Sequence, residues 1–224
     1  MCGRFNVIDN PGLQQLLHDL GIDLKLPNGV NIAPTEQVSL VRATGELVSA
    51  RWWLIPQWAR QIDQKYAMFN ARRESLTRSR AFQRPFHRQR GVVPMSSFIE
   101  WRKAGSVKTP FLVTADSGAI AAAALWDVWH GGETPLLSCT LVTTAAAPQF
   151  EPWHRRMPVL LTSAECEQWL DNSHRIDDDD PLFHSRLKMP LRIAPLDRAV
   201  GNARNKDSSL LSAVGEVIEL AASA

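Results

Sequence analysis

The chain has 224 residues, 45% hydrophobic and 21% charged, with a formal net charge of +2. That length suits one large domain or two small ones with an ample core, and the composition is that of an ordinary globular protein. No apolar run approaches a membrane span, and no basic stretch followed by an apolar one marks a secretory signal. Three widely spaced cysteines (Cys2, Cys139, Cys166) fit neither a disulfide framework nor zinc-site spacing. The expectation is a cytoplasmic protein without metal or cofactor.

In chain order, "NPGLQQLLHDLG" predicts a helix with Asn10 as its cap, Pro11 at the first position, leucines on one face and Gly21 as its stop. "QVSLVRA" and "ELVSARWWLI" read as strands around a turn at Thr44-Gly45, and "SFIEWRK" and "TPFLVTA" as strands around Ala104-Gly105. "AIAAAALWDVW", "LLSCTLVTTA" and "MPVLLT" follow as further strands. "TSAECEQWL" opens with a capping box, Thr162 and Glu165. Behind Asp207, "DSSLLSAVGEVIEL" has the apolar spacing of a helix. Hairpins with interposed short helices predict one α+β domain over residues 1–224, built mainly on antiparallel sheet.

Charge is unevenly spread. "DDDD" at 177–180 concentrates acid in one loop, and from Arg72 to Arg90 seven arginines face a single acid, Glu74. Such a stretch is either a solvated helix face or a phosphate-binding surface, because guanidinium forks match phosphate oxygens.

Cys2 directly follows the initiator methionine. An internal cysteine is usually a small buried hydrophobe. Removal of Met1 would instead leave a 1,2-aminothiol whose amine, with a reference pKa near 7.7–8.0, is roughly a tenth or more neutral at pH 7. Such a group condenses with an aldehyde to an imine and closes a thiazolidine. It can also attack an amide carbonyl with its own amine as base. Asn70 in "MFNARRES" follows an aromatic and precedes Arg72, and taken alone it reads as a helix cap. Glu100, between Ile99 and Trp101, is a solvent-facing strand residue or, if inward, a desolvated proton shuttle. His154 is structural or a general acid/base.

The series "MCGRF", "NIAPTE", "WWLIPQWA", "FNARRES", "FIEWRK", "TTAAA", "HRRMPVLL" and "RAVGNARN" resembles the SRAP family, the SOS response-associated peptidases or abasic-site processing proteins, from Cys2 to about Asn205. The resemblance implies the SRAP fold, a barrel-like β core with short flanking helices. It implies a monomer that shields abasic sites in single-stranded DNA through a thiazolidine at Cys2, at damaged DNA in the nucleoid. By the same resemblance Asn70 positions the cysteine amine, Glu100 moves protons during crosslinking and reversal, and His154 assists opening of the sugar ring. Arg4, Arg72, Arg80 and Arg156 would hold phosphates, while Pro34 and Trp58 would stack on or wedge against bases.

The chain departs from the family at Trp53, where glycine is usual, at Ser97-Phe98-Ile99 before Glu100, and at Arg155, where aspartate is frequent. A retained Met1 would block the aminothiol chemistry. Two rival readings stand beside this one. The first is an N-terminal-cysteine peptidase or amidohydrolase, self-processing included. The second is a non-catalytic single-strand-binding module.

Overall fold

The structure is a computed structural model that describes residues 2–43, 45–63 and 66–223. Its strands are β1 (Arg4–Val7), β2 (Gly29–Ile32), β3 (Gln37–Arg42), β4 (Leu47–Trp52), β5 (Asn70–Arg72), β6 (Arg90–Met95), β7 (Ser97–Ala104), β8 (Val107–Ala115), β9 (Ile120–Trp129), β10 (Leu136–Ala145), β11 (Arg156–Pro158), β12 (Leu160–Leu161), β13 (Leu191–Pro195) and β14 (Ile218–Leu220). Among the described residues three short α-helices interrupt them: α1 (Pro11–Asp19), α2 (Gln83–Arg88) and α3 (Ser163–Leu170). No helix among the described residues is long and apolar enough to cross a membrane.

Strands β3, β4, β6, β9 and β10 close into a five-stranded barrel, with β5, β11 and β12 attached at its margins. Closure runs through a parallel pairing of β10 with β4, and β5 continues the same side of β10, also parallel. The barrel interior is crowded. Ala121 to Ala124 of β9 are all buried, and facing Ala124 stands Gly91, where a Cβ would come within 2.9 Å of both Leu40 and the Val41 carbonyl. Small residues let the barrel close at its tightest point. The other sheet is antiparallel throughout, in the order β14-β13-β8-β7-β1-β2.

Local sequence accounts for most elements. Asn10 Oδ1 accepts from Leu13 N–H at 3.0 Å, Pro11 starts α1, and Leu13, Leu16 and Leu17 bury its inner face. The capping box of α3 is reciprocal: Thr162 Oγ1 accepts from Glu165 N–H, and Glu165 Oε2 accepts from Thr162 N–H. Gly105 takes a φ of 60° in the β7–β8 turn, as Gly45 does (φ 68°) before β4; Thr44 of that expected turn lies outside the described residues.

The expected C-terminal helix is absent. Ser208–Leu211 form one 3-10 turn capped by Asp207, and Ile218–Leu220 form β14 on the sheet edge. Gly215 breaks the pattern, Val214 N–H donates to Pro195 O at 2.9 Å, and β-branched Val217 and Ile218 favour the strand.

Candidate functional site

Cys2 is fully buried just before β1, and its thiol donates to the Arg4 carbonyl at 3.6 Å. Asn70 Nδ2 donates to the Cys2 carbonyl at 2.7 Å. Asn70 is held by β5, which pairs with β10, and the preceding Phe69 carbonyl accepts from both Trp52 Nε1 and Leu141 N–H. Asn70 Oδ1 is buried and has no hydrogen-bond partner among the described residues. Burial, reinforced by the negative charge of Glu100, pushes the Cys2 thiol well above the usual thiol range, so it rests neutral. Met1 lies outside the described residues.

Glu100 points inward and is 2% exposed, and Trp101 N–H donates to its Oε1 at 3.1 Å. Register explains its setting. β7 pairs with β1 through Arg4–Ile99 and Phe5–Phe98, and with β8 through Glu100–Phe111. Alternation then puts Phe98, Glu100 and Arg102 on one face with Phe111 and Val113. Onto this face pack Phe150, with its ring 6.1 Å from that of Phe98, and Trp153, edge-on to Phe111 at 6.4 Å. Those two aromatics carry the segment that ends in His154 over the face bearing Glu100.

At His154 the Arg156 backbone N–H donates to Nδ1 at 3.0 Å. The same Nδ1 also lies 3.0 Å from the Arg156 carbonyl oxygen, so the backbone of Arg156 holds the ring in place. Arg156 itself is engaged within the fold: Nη1 donates to Glu74 Oε1 at 2.9 Å and Nη2 to the Thr143 carbonyl at 2.6 Å.

The remaining sequence candidates are more dispersed. Arg4 Nη1 donates to the Gly3 carbonyl at 3.0 Å, with the guanidinium 5.9 Å from the Trp101 ring centroid. Arg72 is exposed at the end of β5, and Pro34 is half-buried in the turn between β2 and β3. Trp58 is half exposed, with the Arg80 guanidinium 4.4 Å over its ring. The pair borders a groove of about 770 Å³ that Met68, two residues before Asn70, also lines.

The arginine-rich stretch is neither one helix face nor one phosphate surface. Arg90 is buried, Arg84 pairs with Asp127 at 2.9 Å, and Arg73 donates to the Asp178 carbonyl; Arg72, Arg78, Arg80 and Arg88 are exposed. The acidic loop is thus partly docked on the basic stretch, Thr77 Oγ1 also donating to Asp178 Oδ2 at 2.9 Å. Cys2, Asn70 and Glu100 converge, while Trp58 and Arg80 form a separate platform. Trp153 and Phe111 shape the site without having been singled out in the sequence, where Glu74 stood out only as the lone acid of the basic stretch.

The sequence profile of the family described as SOS response associated peptidase (SRAP) matches residues 1–203. The chain belongs to this family. Among similar SRAP relatives, the abasic site processing protein YoqW of Bacillus subtilis is 34% identical over 201 residues, covering 85% of this chain and 87% of its own. The abasic site processing protein YoaM of the same organism is 31% identical, covering 95% and 98%. The abasic site processing protein YedK of Escherichia coli is 28% identical, covering 96% and 100%. A crystal structure of a Bacteroides thetaiotaomicron protein shares the fold at a TM-score of 0.74 and 19% identity, covering 95% of this chain and all of that one.

Proposed function

We propose that this SRAP protein processes abasic sites in single-stranded DNA by covalent capture of the lesion aldehyde at Cys2. The supporting relatives are those named abasic site processing proteins. The observation that carries the reading is the 2.7 Å hydrogen bond from Asn70 to the Cys2 carbonyl, near the buried Glu100 whose charge acts on the Cys2 thiol.

In this reading, hydrolysis of the Met1–Cys2 peptide bond frees the α-amine. His154 protonates the ring oxygen of the closed sugar as its C1′ hydroxyl loses a proton, giving the aldehyde. The neutral amine adds to C1′, and the carbinolamine loses water to form an imine. Glu100 carries the protons that leave nitrogen and reach the departing oxygen. Finally the Cys2 sulfur adds to the imine carbon, the thiol proton passes to nitrogen, and a five-membered thiazolidine closes. One water is released overall. A neutral resting thiol suits this order, because the amine attacks first and the thiol is consumed only at closure. Asn70 fixes the Cys2 backbone, and its Oδ1, without a partner among the described residues, is an acceptor for the freed amine.

Intact mass measurement after incubation with an abasic single strand tests this. Met1-free protein is expected to gain the strand's mass less one water. Cys2→Ala should give only an imine that borohydride traps, and protein retaining Met1 should give no stable adduct. A stable adduct on the Met1-retaining protein overturns the mechanism.

A further inference from the structure

The β7–β8 hairpin runs outward past the site and ends in a tip that the capture mechanism leaves unused. Glu100 lies at its buried base; Arg102, Lys103 and Lys108 lie beyond it, all exposed. The two lysines are direct cross-strand partners. Like charges facing each other in this way destabilise a hairpin unless an anion lies between them. None of the three cations has a carboxylate partner among the described residues. Asp197, two residues past the Pro195–Phe111 pair, instead caps its own turn by accepting from Ala199 N–H at 2.7 Å.

Alternation distributes the charges over both faces of the ribbon. Arg102 shares the face of Glu100, its guanidinium stacked 4.9 Å from the Phe111 ring centroid, and so is held at the rim of the site. Lys103 falls on the other face with Trp101, whose ring carries Arg4. Cations therefore continue outward from Arg4 along the arm. The only large apolar side chain exposed at the tip is Val107, 43% exposed, which gives no apolar surface for a membrane or a protein partner. Three residues of strand separate Glu100 from Lys103, about 10 Å, which matches roughly three phosphates of a stacked strand.

We propose that the β7–β8 hairpin is a phosphate-binding arm. Arg102, Lys103 and Lys108 grip the DNA backbone about three phosphates from the captured sugar, with one phosphate relieving the Lys103–Lys108 repulsion. The arm extends the site of the proposed function, and it rests on that reading for the identity of its ligand.

The test uses the full chain and an undamaged single-stranded oligonucleotide, with affinity measured across a salt series. Lys103→Ala/Lys108→Ala is expected to weaken binding roughly fivefold at 0.1 M salt and to flatten the logarithmic salt slope by about 0.7, the loss of the one phosphate the two lysines share. Lys103→Arg/Lys108→Arg should restore both. Unchanged affinity and slope in the alanine pair overturn the arm and leave a solvated tip. Crosslinking to an abasic strand is read on the same preparations. Wild-type crosslinking beside an unchanged slope overturns the arm alone. A flattened slope beside absent wild-type crosslinking overturns the capture reading and upholds the arm.

Discussion

Arg90 and Arg80 belong to one basic stretch of sequence and have opposite fates. Arg90 is 1% exposed and donates to four backbone carbonyls: Trp169 at 2.6 Å, Phe86 at 3.1 Å, His174 at 2.9 Å, and Asp171. It ties the C-terminal end of α3 and the loop behind it to β6 and α2. Arg80 is exposed and rests on Trp58 without a carboxylate partner among the described residues. One guanidinium satisfies carbonyls that have no water to turn to, and the other is available to a phosphate. Composition alone gives both the same charge, and only packing divides scaffold from surface.

The sharpest way to break this comparison is Arg90→Ala. Leaving several buried carbonyls unsatisfied is expected to cost about 3 kcal/mol, lowering the melting temperature by roughly 6–12 °C. The DNA salt slope of the folded fraction should not change. Thermal unfolding and a salt series on one preparation check both halves. Arg156→Ala tests the intermediate case, since that side chain braces Glu74 and Thr143 at the margin of the site. A loss of about 1–2 kcal/mol, together with weaker binding, is expected by denaturant melts and titration.

At the exposed end, Arg72→Ala and Arg80→Ala should each leave stability within about 0.5 kcal/mol. Each should weaken single-strand binding roughly fivefold at 0.1 M salt and flatten the slope by about 0.7. Unchanged binding in both would move these arginines to the scaffold side.

The smallest effect concerns pH. Burial opposes ionisation of Glu74, but the Arg156 hydrogen bond and charge outweigh it and hold the carboxyl below its ordinary value. Its contribution is therefore complete above the usual glutamate range, near 4.3, and fades as pH falls through the depressed value. Because Glu74 is half exposed, solvent screening keeps the effect below about 0.5 kcal/mol. Comparing acid melts of the wild type and Glu74→Gln reads it: the two should converge at low pH.

Local chemistry made α1, α3 and the β7–β8 hairpin legible, because their caps and turn glycines act within a few residues of themselves. The barrel was legible only through the family resemblance, which implied a barrel-like β core, and not from the strand pattern itself. A parallel seam between β10 and β4 joins segments far apart in sequence, and alternation carries no signal of pairing direction. The apolar repeat near the C-terminus suggested a helix because its spacing was weighed ahead of Gly215 and the β-branched residues around it. At the site, the residue types and their order in the chain marked Cys2, Asn70, Glu100 and His154. The Trp153–Phe111 contact that brings His154 over the β7–β8 face left no trace in spacing, since it depends on two turns packing across a sheet.

The parallel pairing of β5 with β10 also orders events on the ribosome. Asn70 is synthesised early, yet the strand that fixes it pairs with Leu141 to Thr143, which emerge about seventy residues later. Contacts of such long sequence separation form slowly. A nascent chain thus exposes its N-terminus to processing well before the pocket around Cys2 can close. Under the proposed function, removal of Met1 would have a window that opens at the start of synthesis and shuts when β10 docks, and a chain that kept its methionine past that interval would fold with Cys2 unable to capture an aldehyde.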